Sequence, residues 1–201
     1  MAKQLNIREE YTDNYGNRIL TDKGGFSLME MVIVLGIISI MAAIAIPSFL
    51  DWLPRYRLKS AARDLYSNMQ KARIGAIKSN KDWAIVFDAA ANKYHLCSDK
   101  GSDGSWSGVG DNTVERTVDL DDYQSNIQYG HGKAAQSATS PPGAFPGDDI
   151  SYNSNVTTFN PVGTGSSGYV YLENSENTAY TVGSQSSGVI TLKIWDGSSW
   201  E

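Results

Sequence analysis

The stretch Met31–Leu50, MVIVLGIISIMAAIAIPSFL, holds 20 consecutive residues without a charged side chain. At a rise of about 1.5 Å per residue, a helix of this length spans about 30 Å, the thickness of the hydrocarbon core of a bilayer. A core helix of a soluble protein normally keeps a polar face, and this stretch has none. The sequence therefore predicts a membrane-spanning helix near the N-terminus.

Residues 1–25 precede this stretch and are polar, without apolar periodicity, and they end in Gly24-Gly25. We interpret them as a leader that is removed rather than as a folded element. An ordinary secretory signal has a shorter apolar region, and its cleavage site follows that region. Here the polar segment that ends in glycine comes before the apolar stretch, which favours a cut on the leader side.

The basic residues around the span favour the opposite orientation. Arg18 and Lys23 lie close to it on the leader side. Four basic residues follow it: Arg55, Arg57, Lys59 and Arg63. By the positive-inside rule alone, the C-terminal side would lie in the cytoplasm. We give precedence to the motif that joins the leader to the span.

The helix is expected to begin at Phe26 and to end near Asn80. Pro47 lies inside it and predicts a kink or local melting, because proline removes a backbone donor and clashes with the preceding turn. Pro54 predicts a second irregularity. Residues 54–80 are amphipathic, and the spacing of their apolar residues predicts a face packed on a sheet. These apolar residues are Leu58, Ala61, Ala62, Leu65, Met69, Ala72, Ala76 and Ile77.

Residues 81–201 predict short antiparallel strands joined by turns rich in Gly, Ser and Asn. The predicted strands are Trp83–Asp88, Lys93–Cys97, Val114–Leu120, Asn126–Tyr129, Ile150–Asn153, Val156–Phe159, Tyr169–Glu173, Ala179–Val182 and Val189–Trp195. The first two form a hairpin in this prediction, and the last three form a meander. Two long loops, Ser98–Asn112 and His131–Asp149, separate them. The predicted fold class is therefore α+β.

Charge is distributed unevenly along the chain. Residues 55–81 contain eight Lys/Arg and one Asp/Glu, whereas residues 100–201 contain four Lys/Arg and twelve Asp/Glu. Two solvated faces are the simplest interpretation. The alternative is complementary packing between adjacent copies, since opposite potentials favour docking in a fixed register.

The segment GGFSLME joins the leader to the span at Gly24–Glu30. A glycine, an aromatic residue, Ser or Thr, Leu, an aliphatic residue and Glu form a pattern that resembles the signature of type IV pilins and of type II secretion pseudopilins. Pro47 also lies at the helix-breaking position usual in that family. The resemblance implies the type IV pilin fold, in which a long N-terminal transmembrane and amphipathic α-helix packs on antiparallel β-sheet.

The resemblance also implies a processing step and an assembly contact. A prepilin peptidase would cut between Gly25 and Phe26, where glycine allows close approach to the backbone, and would methylate the new amine of Phe26. Glu30 would meet the N-terminal amine of a neighbouring subunit. A carboxylate at the edge of an apolar span is costly and is therefore a functional candidate. The simpler interpretation is that Glu30 extends to the lipid headgroups.

The expected organisation is a cleaved leader (1–25), a transmembrane half-helix (26–53), an amphipathic half-helix (54–80) and a β-rich globular domain (81–201). The unassembled chain would cross the inner membrane once, with its domain in the periplasm, and would then enter a pseudopilus or pilus. Its expected partners are other pilins or pseudopilins, the prepilin peptidase and the assembly platform.

A second pattern lies in the amphipathic helix and the later turns. Its residues are Leu65, Ala72, Arg73, Ala76, Ile77, the turn Phe159–Gly163 and the strand Tyr169–Glu173. It resembles the H-type pseudopilins and the FimT/FimU-like minor pilins, in which the helix packs on small β-sheets and the protein lies at or near the filament tip. The chain departs from that family at Gly188-Val189, where Gly-Arg is frequent. Its single cysteine, Cys97, leaves no C-terminal disulfide loop.

Enzyme and metal signatures are missing from the sequence. It contains no nucleophile elbow, P-loop or dinucleotide motif, and His95 and His131 have no partners at metal-ligand spacing. No catalytic residue, metal ligand or cofactor is assigned. The loop from Asp99 to Asp111 offers carboxylates that could hold calcium, as loops of major pseudopilins do. It lacks the EF-hand spacing, and a solvated loop is the favoured interpretation.

These features predict a structural subunit, a minor pilin or pseudopilin that polymerises through its N-terminal helix, and not an enzyme. The alternative is a binding module displayed on a pilus for adhesion or DNA uptake. The acidic balance of residues 100–201 argues against nucleic acid, because phosphate binding needs an exposed basic patch. A third possibility is a single-pass membrane anchor in which Gly25 is never cut.

Overall fold

The structure is a computed structural model that describes residues 10–12, 18–20 and 25–201. The chain divides into two compact units, Met1–Ser48 and Phe49–Glu201. One long helix, α1 (Leu28–Ser79), contributes residues to both units. Its bounds agree within two residues with the predicted ends.

The first unit contains two short strands and the apolar part of α1. β1 (Glu10–Thr12) and β2 (Arg18–Leu20) pair antiparallel. The prediction that residues 1–25 hold no folded element is wrong for these two strands. By length and composition α1 can cross a membrane, and its most apolar 18-residue window has no buried residue.

The helix runs without interruption through Pro47 and Pro54. The local melting predicted at Pro47 is therefore not observed, and the kink stays a prediction. A proline removes one hydrogen bond of the helix, and the turns on either side keep theirs.

The second unit contains two four-stranded antiparallel sheets. Their strands are β3 (Trp83–Asp88), β4 (Lys93–Asp99), β5 (Thr113–Asp119), β6 (Gln128–Tyr129), β7 (Val156–Phe159), β8 (Gly168–Glu173), β9 (Ala179–Ser184) and β10 (Ile190–Ile194). The first sheet has the order β5-β4-β3-β7 and the second has the order β10-β9-β8-β6. The predicted hairpin and the predicted C-terminal meander are both confirmed.

One predicted strand is wrong. Within Ile150–Asn153, Ile150 makes a single bridge to Val170, and a short 3-10 helix begins at Asn153. Ser154 and Asn155 have φ values of 52° and 57°. The 3-10 helix therefore ends the extended backbone at Tyr152, and the left-handed residues that follow turn the chain before β7.

A single core joins the amphipathic face of α1 to the inner faces of both sheets. Of the apolar residues predicted for this face, all are fully buried except Ile77, which is 47% exposed. Ile77 is therefore wrongly predicted as a core residue. The buried Asn68 donates a hydrogen bond to the Tyr94 hydroxyl at 2.9 Å, so this polar group within the core is paired.

Each long loop covers the outer face of one sheet. The loop between β4 and β5 places Trp106 on an apolar cluster that contains Ala84, Val86 and Cys97. The loop between β6 and β7 places Phe145 on Tyr171, with 5.0 Å between the ring centroids in an edge-on arrangement. Both sheets are thus covered on two sides, which gives short strands enough apolar contact without a disulfide.

Candidate functional site

The start of α1 is fixed by Ser27. Its Oγ accepts a hydrogen bond from the amide of Met29 at 3.3 Å, and its carbonyl accepts one from the amide of Met31 at 3.1 Å. Ser27 and Glu30 have the spacing of a capping box. The cap places Glu30 in the first helical turn, where the helix dipole favours negative charge. The Ser-x-x-Glu pattern in the sequence was sufficient to predict this helix start, and sequence reasoning missed it.

The predicted cleavage residues lie just before the helix, in non-helical backbone. The Phe26 side chain is 78% exposed. A Cβ placed on Gly25 would meet no atom within 4 Å. Packing among the described residues therefore does not require glycine at this position. Gly24 lies outside the described residues.

Glu30 is an exposed carboxylate inside an apolar sequence. Its neighbours Met29 and Met31 are also exposed, and none of the ion pairs among the described residues involves Glu30. Its carboxylate is therefore available to a cation from outside that part of the chain. The capped first turn fixes the helical backbone on which Glu30 stands.

A second group of predicted residues meets at one contact, which we name the Arg73 junction. Arg73 Nε donates a hydrogen bond to the Gly163 carbonyl oxygen at 2.7 Å. Gly188 has a φ of +81°, and a Cβ there would lie 1.9 Å from the same oxygen. The junction therefore joins the helix to two turns, at Gly163 and at Gly188. The sequence pointed to all three residues separately, but their contact could not be seen in it.

The turn Phe159–Gly163 is shaped by Asn160. Its side-chain oxygen accepts hydrogen bonds from the amides of Val162 at 3.0 Å and Thr164 at 3.2 Å. The Asn160 carbonyl accepts the amide of Gly163 at 2.9 Å. An asparagine that bonds to the following backbone amides closes such a turn without a strand partner. It aims the Gly163 carbonyl at Arg73.

In the loop from Asp99 to Asp111, which was considered as a calcium site, the carboxylates of Asp99 and Asp111 accept hydrogen bonds from the loop itself. Asp111 Oδ2 accepts hydrogen bonds from Ser102 Oγ at 2.8 Å and from the amides of Ser102 at 2.6 Å and Asp103 at 3.1 Å, which lowers the pKa of Asp111. A hydrogen bond from the Gly101 amide, together with Lys81, lowers the pKa of Asp99. Among the described residues, no group of three His, Cys, Asp or Glu side chains is arranged to hold a metal ion.

The two histidines make separate structural contacts. His95 is buried in β4 with its Nδ1 2.9 Å from Thr117 Oγ1, and burial lowers its pKa. His131 Nδ1 lies 2.5 Å from Asp149 Oδ1, and its ring stacks on Phe145 at 3.8 Å between centroids. The second contact fastens the two ends of the loop that covers the second sheet.

Two sequence families match the chain. The family described as type II transport protein GspH matches residues 61–188. The prokaryotic N-terminal methylation motif matches residues 20–46. The first match contains all three residues of the Arg73 junction, and the second contains Gly25, Phe26 and Glu30. Among curated proteins, none matches the chain.

Solved structures of low sequence identity resemble the chain. One is the minor pseudopilin EpsH from the type 2 secretion system of Vibrio cholerae, with 13% identity and a TM-score of 0.46, over 69% of this chain and 97% of that one. Another is the type IV minor pilin FimU of Pseudomonas aeruginosa, with 14% identity and a TM-score of 0.46, over 73% and 94%.

Membership of a family rests on the sequence matches, because the GspH match extends over more than half of the chain. The long apolar helix and the antiparallel sheets form the α+β architecture that was predicted. The chain belongs to the type II transport protein GspH family, which comprises structural subunits of the pilin and pseudopilin class.

Proposed function

We propose that this chain is a minor subunit of a type II secretion pseudopilus or a type IV pilus, without catalytic activity. A prepilin peptidase cuts it between Gly25 and Phe26 and methylates Phe26, and the mature subunit polymerises through α1. One observation carries this proposal. An open glycine, an exposed Phe26, a capped helix start and the exposed Glu30 follow each other directly before a charge-free span.

The open backbone at Gly25 supports the proposed cut. A peptidase must reach both sides of the bond that it cleaves, and the described residues place nothing within 4 Å of a Cβ at Gly25. Since packing among the described residues does not explain this glycine, the need for it is expected to lie in an external enzyme.

The charge-free span supports a membrane location before assembly. In this proposal, residues 26–53 cross the inner membrane and residues 81–201 lie in the periplasm. The leader would stay with the peptidase on the cytoplasmic side. Removal of the leader would free the amine of Phe26. The Glu30 carboxylate of a neighbouring subunit would then bind this amine. The assembly platform and other pilins would then complete the set of partners.

Processing gives the first test of this proposal. When the full chain is expressed with a prepilin peptidase, intact-mass and N-terminal measurements are expected to show residues 26–201 with a methylated Phe26. Gly25→Leu is expected to retain the leader. Gly36→Leu is the matched control, because a Cβ at Gly36 also meets nothing within 4 Å, and it is expected to be cut normally. A wild-type chain that keeps residues 1–25, or is cut after the span, would contradict the proposal.

Calcium gives a second test, because we propose that the acidic loop folds without a metal ion. Its carboxylates already accept the hydrogen bonds of Ser102 and Asp103. Replacing a chelator with calcium is expected to shift the melting temperature by less than about 1 °C, since a ligand that does not bind adds no stability. If calcium raised the melting temperature in a saturable way, and Asp111→Asn abolished this effect, the loop would bind calcium and the proposal would be wrong.

A further inference from the structure

The side of α1 that faces away from both sheets carries a continuous exposed stripe. Its residues follow one another at steps of four or three positions, and they therefore share one side of the helix. They are Lys59, Arg63, Ser67, Lys71, Ile74 and Lys78. All six are exposed, and none is acidic. We name this surface the basic stripe.

The other basic residues in this part of the chain have contacts within the domain. These contacts are Arg55 with Glu176 at 3.0 Å, Arg57 with Ser125 at 2.9 Å, Arg73 with Gly163 at 2.7 Å and Lys81 with Asp99 at 3.1 Å. By contrast, none of the ion pairs among the described residues involves a cation of the basic stripe. Like charges at a spacing of four residues, such as Lys59 and Arg63, destabilise a helix. At Lys78 the charge is instead favoured, because this residue lies in the last turn of α1, where the helix dipole attracts a cation.

The basic stripe also contains one exposed apolar residue. Ile74 is 48% exposed, and it lies between Lys71 and Lys78 along the stripe. An exposed apolar residue with polar neighbours fits the core and rim of a protein interface. A surface for nucleic acid would need basic residues on the neighbouring surfaces as well. Here residues 100–201 contain twelve acidic residues, which repel phosphates.

We propose that the basic stripe docks on a carboxylate-rich surface of the neighbouring pilin-class subunit in the filament, with Ile74 against an apolar spot on that subunit. This inference rests on the proposed function, because it needs a filament neighbour. This chain's own domain carries a surface of that kind, where Asp121 and Asp122 are exposed beside Asp119, which pairs with Lys93 at 2.9 Å. A basic surface that meets an acidic one on the next subunit is a heterologous contact, and such contacts build open filaments.

Charge reversal tests the inference in the full chain. The double variant Lys59→Glu, Lys71→Glu is expected to be cut normally at Gly25 and to enter filaments about tenfold less than the wild type, because like charges then oppose docking. The control is Lys100→Glu, Lys133→Glu, which changes the net charge equally at two exposed residues outside the basic stripe. It is expected to enter filaments normally. Normal incorporation of a correctly cut stripe variant would overturn this inference and leave the proposed function standing.

A cross-link identifies the partner. A photoreactive probe on Ser67→Cys lies between Arg63 and Lys71. The native Cys97 is fully buried and reacts only when its cover opens, so a short labelling time places the probe at position 67. The probe is expected to capture a pilin-class subunit through a peptide rich in Asp and Glu, in filaments examined by mass spectrometry. Capture of DNA, of lipid, or of a peptide without acidic residues would overturn the inference. A precursor that stays uncut would instead overturn the proposed function.

Discussion

Glu30→Val is expected to leave cleavage at Gly25 intact and to reduce incorporation into filaments by more than about a hundredfold. The exposed carboxylate in the first turn of α1 would pair with the amine that cleavage creates at Phe26 of a neighbour. Breaking an ion pair in an apolar layer costs about 3 to 5 kcal/mol, because the remaining charge is left without a partner. The measurement is the amount of mature protein in sheared filaments relative to the membrane fraction.

The control for this variant is Asp51→Val. Asp51 is another exposed carboxylate next to the apolar stretch, at its opposite end. It is expected to enter filaments normally, since the amine of Phe26 lies at the other end of the span. If Glu30→Val polymerised as well as Asp51→Val, the assembly role of Glu30 would be wrong, even if both chains were processed correctly.

Gly188→Ala is expected to lower the free energy of unfolding by about 2.5 to 5 kcal/mol. The left-handed backbone, with φ at +81°, costs an alanine about 1 to 2 kcal/mol. The new Cβ would also lie 1.9 Å from the Gly163 carbonyl oxygen, so the turn must move away from Arg73. Loss of that charged hydrogen bond costs about 1.5 to 3 kcal/mol. Thermal or chemical unfolding followed by circular dichroism measures the sum.

Gly104→Ala isolates the backbone part of this cost. Gly104 has a φ of +72°, close to that of Gly188, but a Cβ there meets no atom within 4 Å. It is expected to lose about 1 to 2 kcal/mol, from the left-handed conformation alone. Equal losses in the two variants would mean that the Arg73 junction contributes nothing measurable to stability.

Local patterns in the sequence predicted the long helix, the β3-β4 hairpin and the C-terminal meander, since each depends on residues close together in the chain. The pairing of β3 with β7 was not predictable in this way. Trp83 lies opposite Phe159 across the sheet, and no turn joins the two strands. Periodicity identifies a strand but does not select its distant partner.

The motif at Gly25–Glu30 was visible in the sequence because its function depends on consecutive residues. The Arg73 junction depends on three distant segments, and the sequence showed its members without their contact. Ile77 continues the apolar periodicity of α1, yet it is exposed. It lies close to Gly163, because Gly163 has no Cβ that would collide with it. Helical spacing identifies the apolar face of α1, but it does not show how far along the helix the sheets cover that face.

Trp106 covers Cys97, so the rate at which this thiol is alkylated reports how often the loop between β4 and β5 opens. Burial raises its pKa to about 11, so the buried thiol remains protonated and unreactive at neutral pH. Alkylation must wait until the loop lifts, and its rate then equals the open fraction multiplied by the rate for a free cysteine. Because the chain has one cysteine, the same reagent can compare how often this cover opens in a free subunit and in an assembled one.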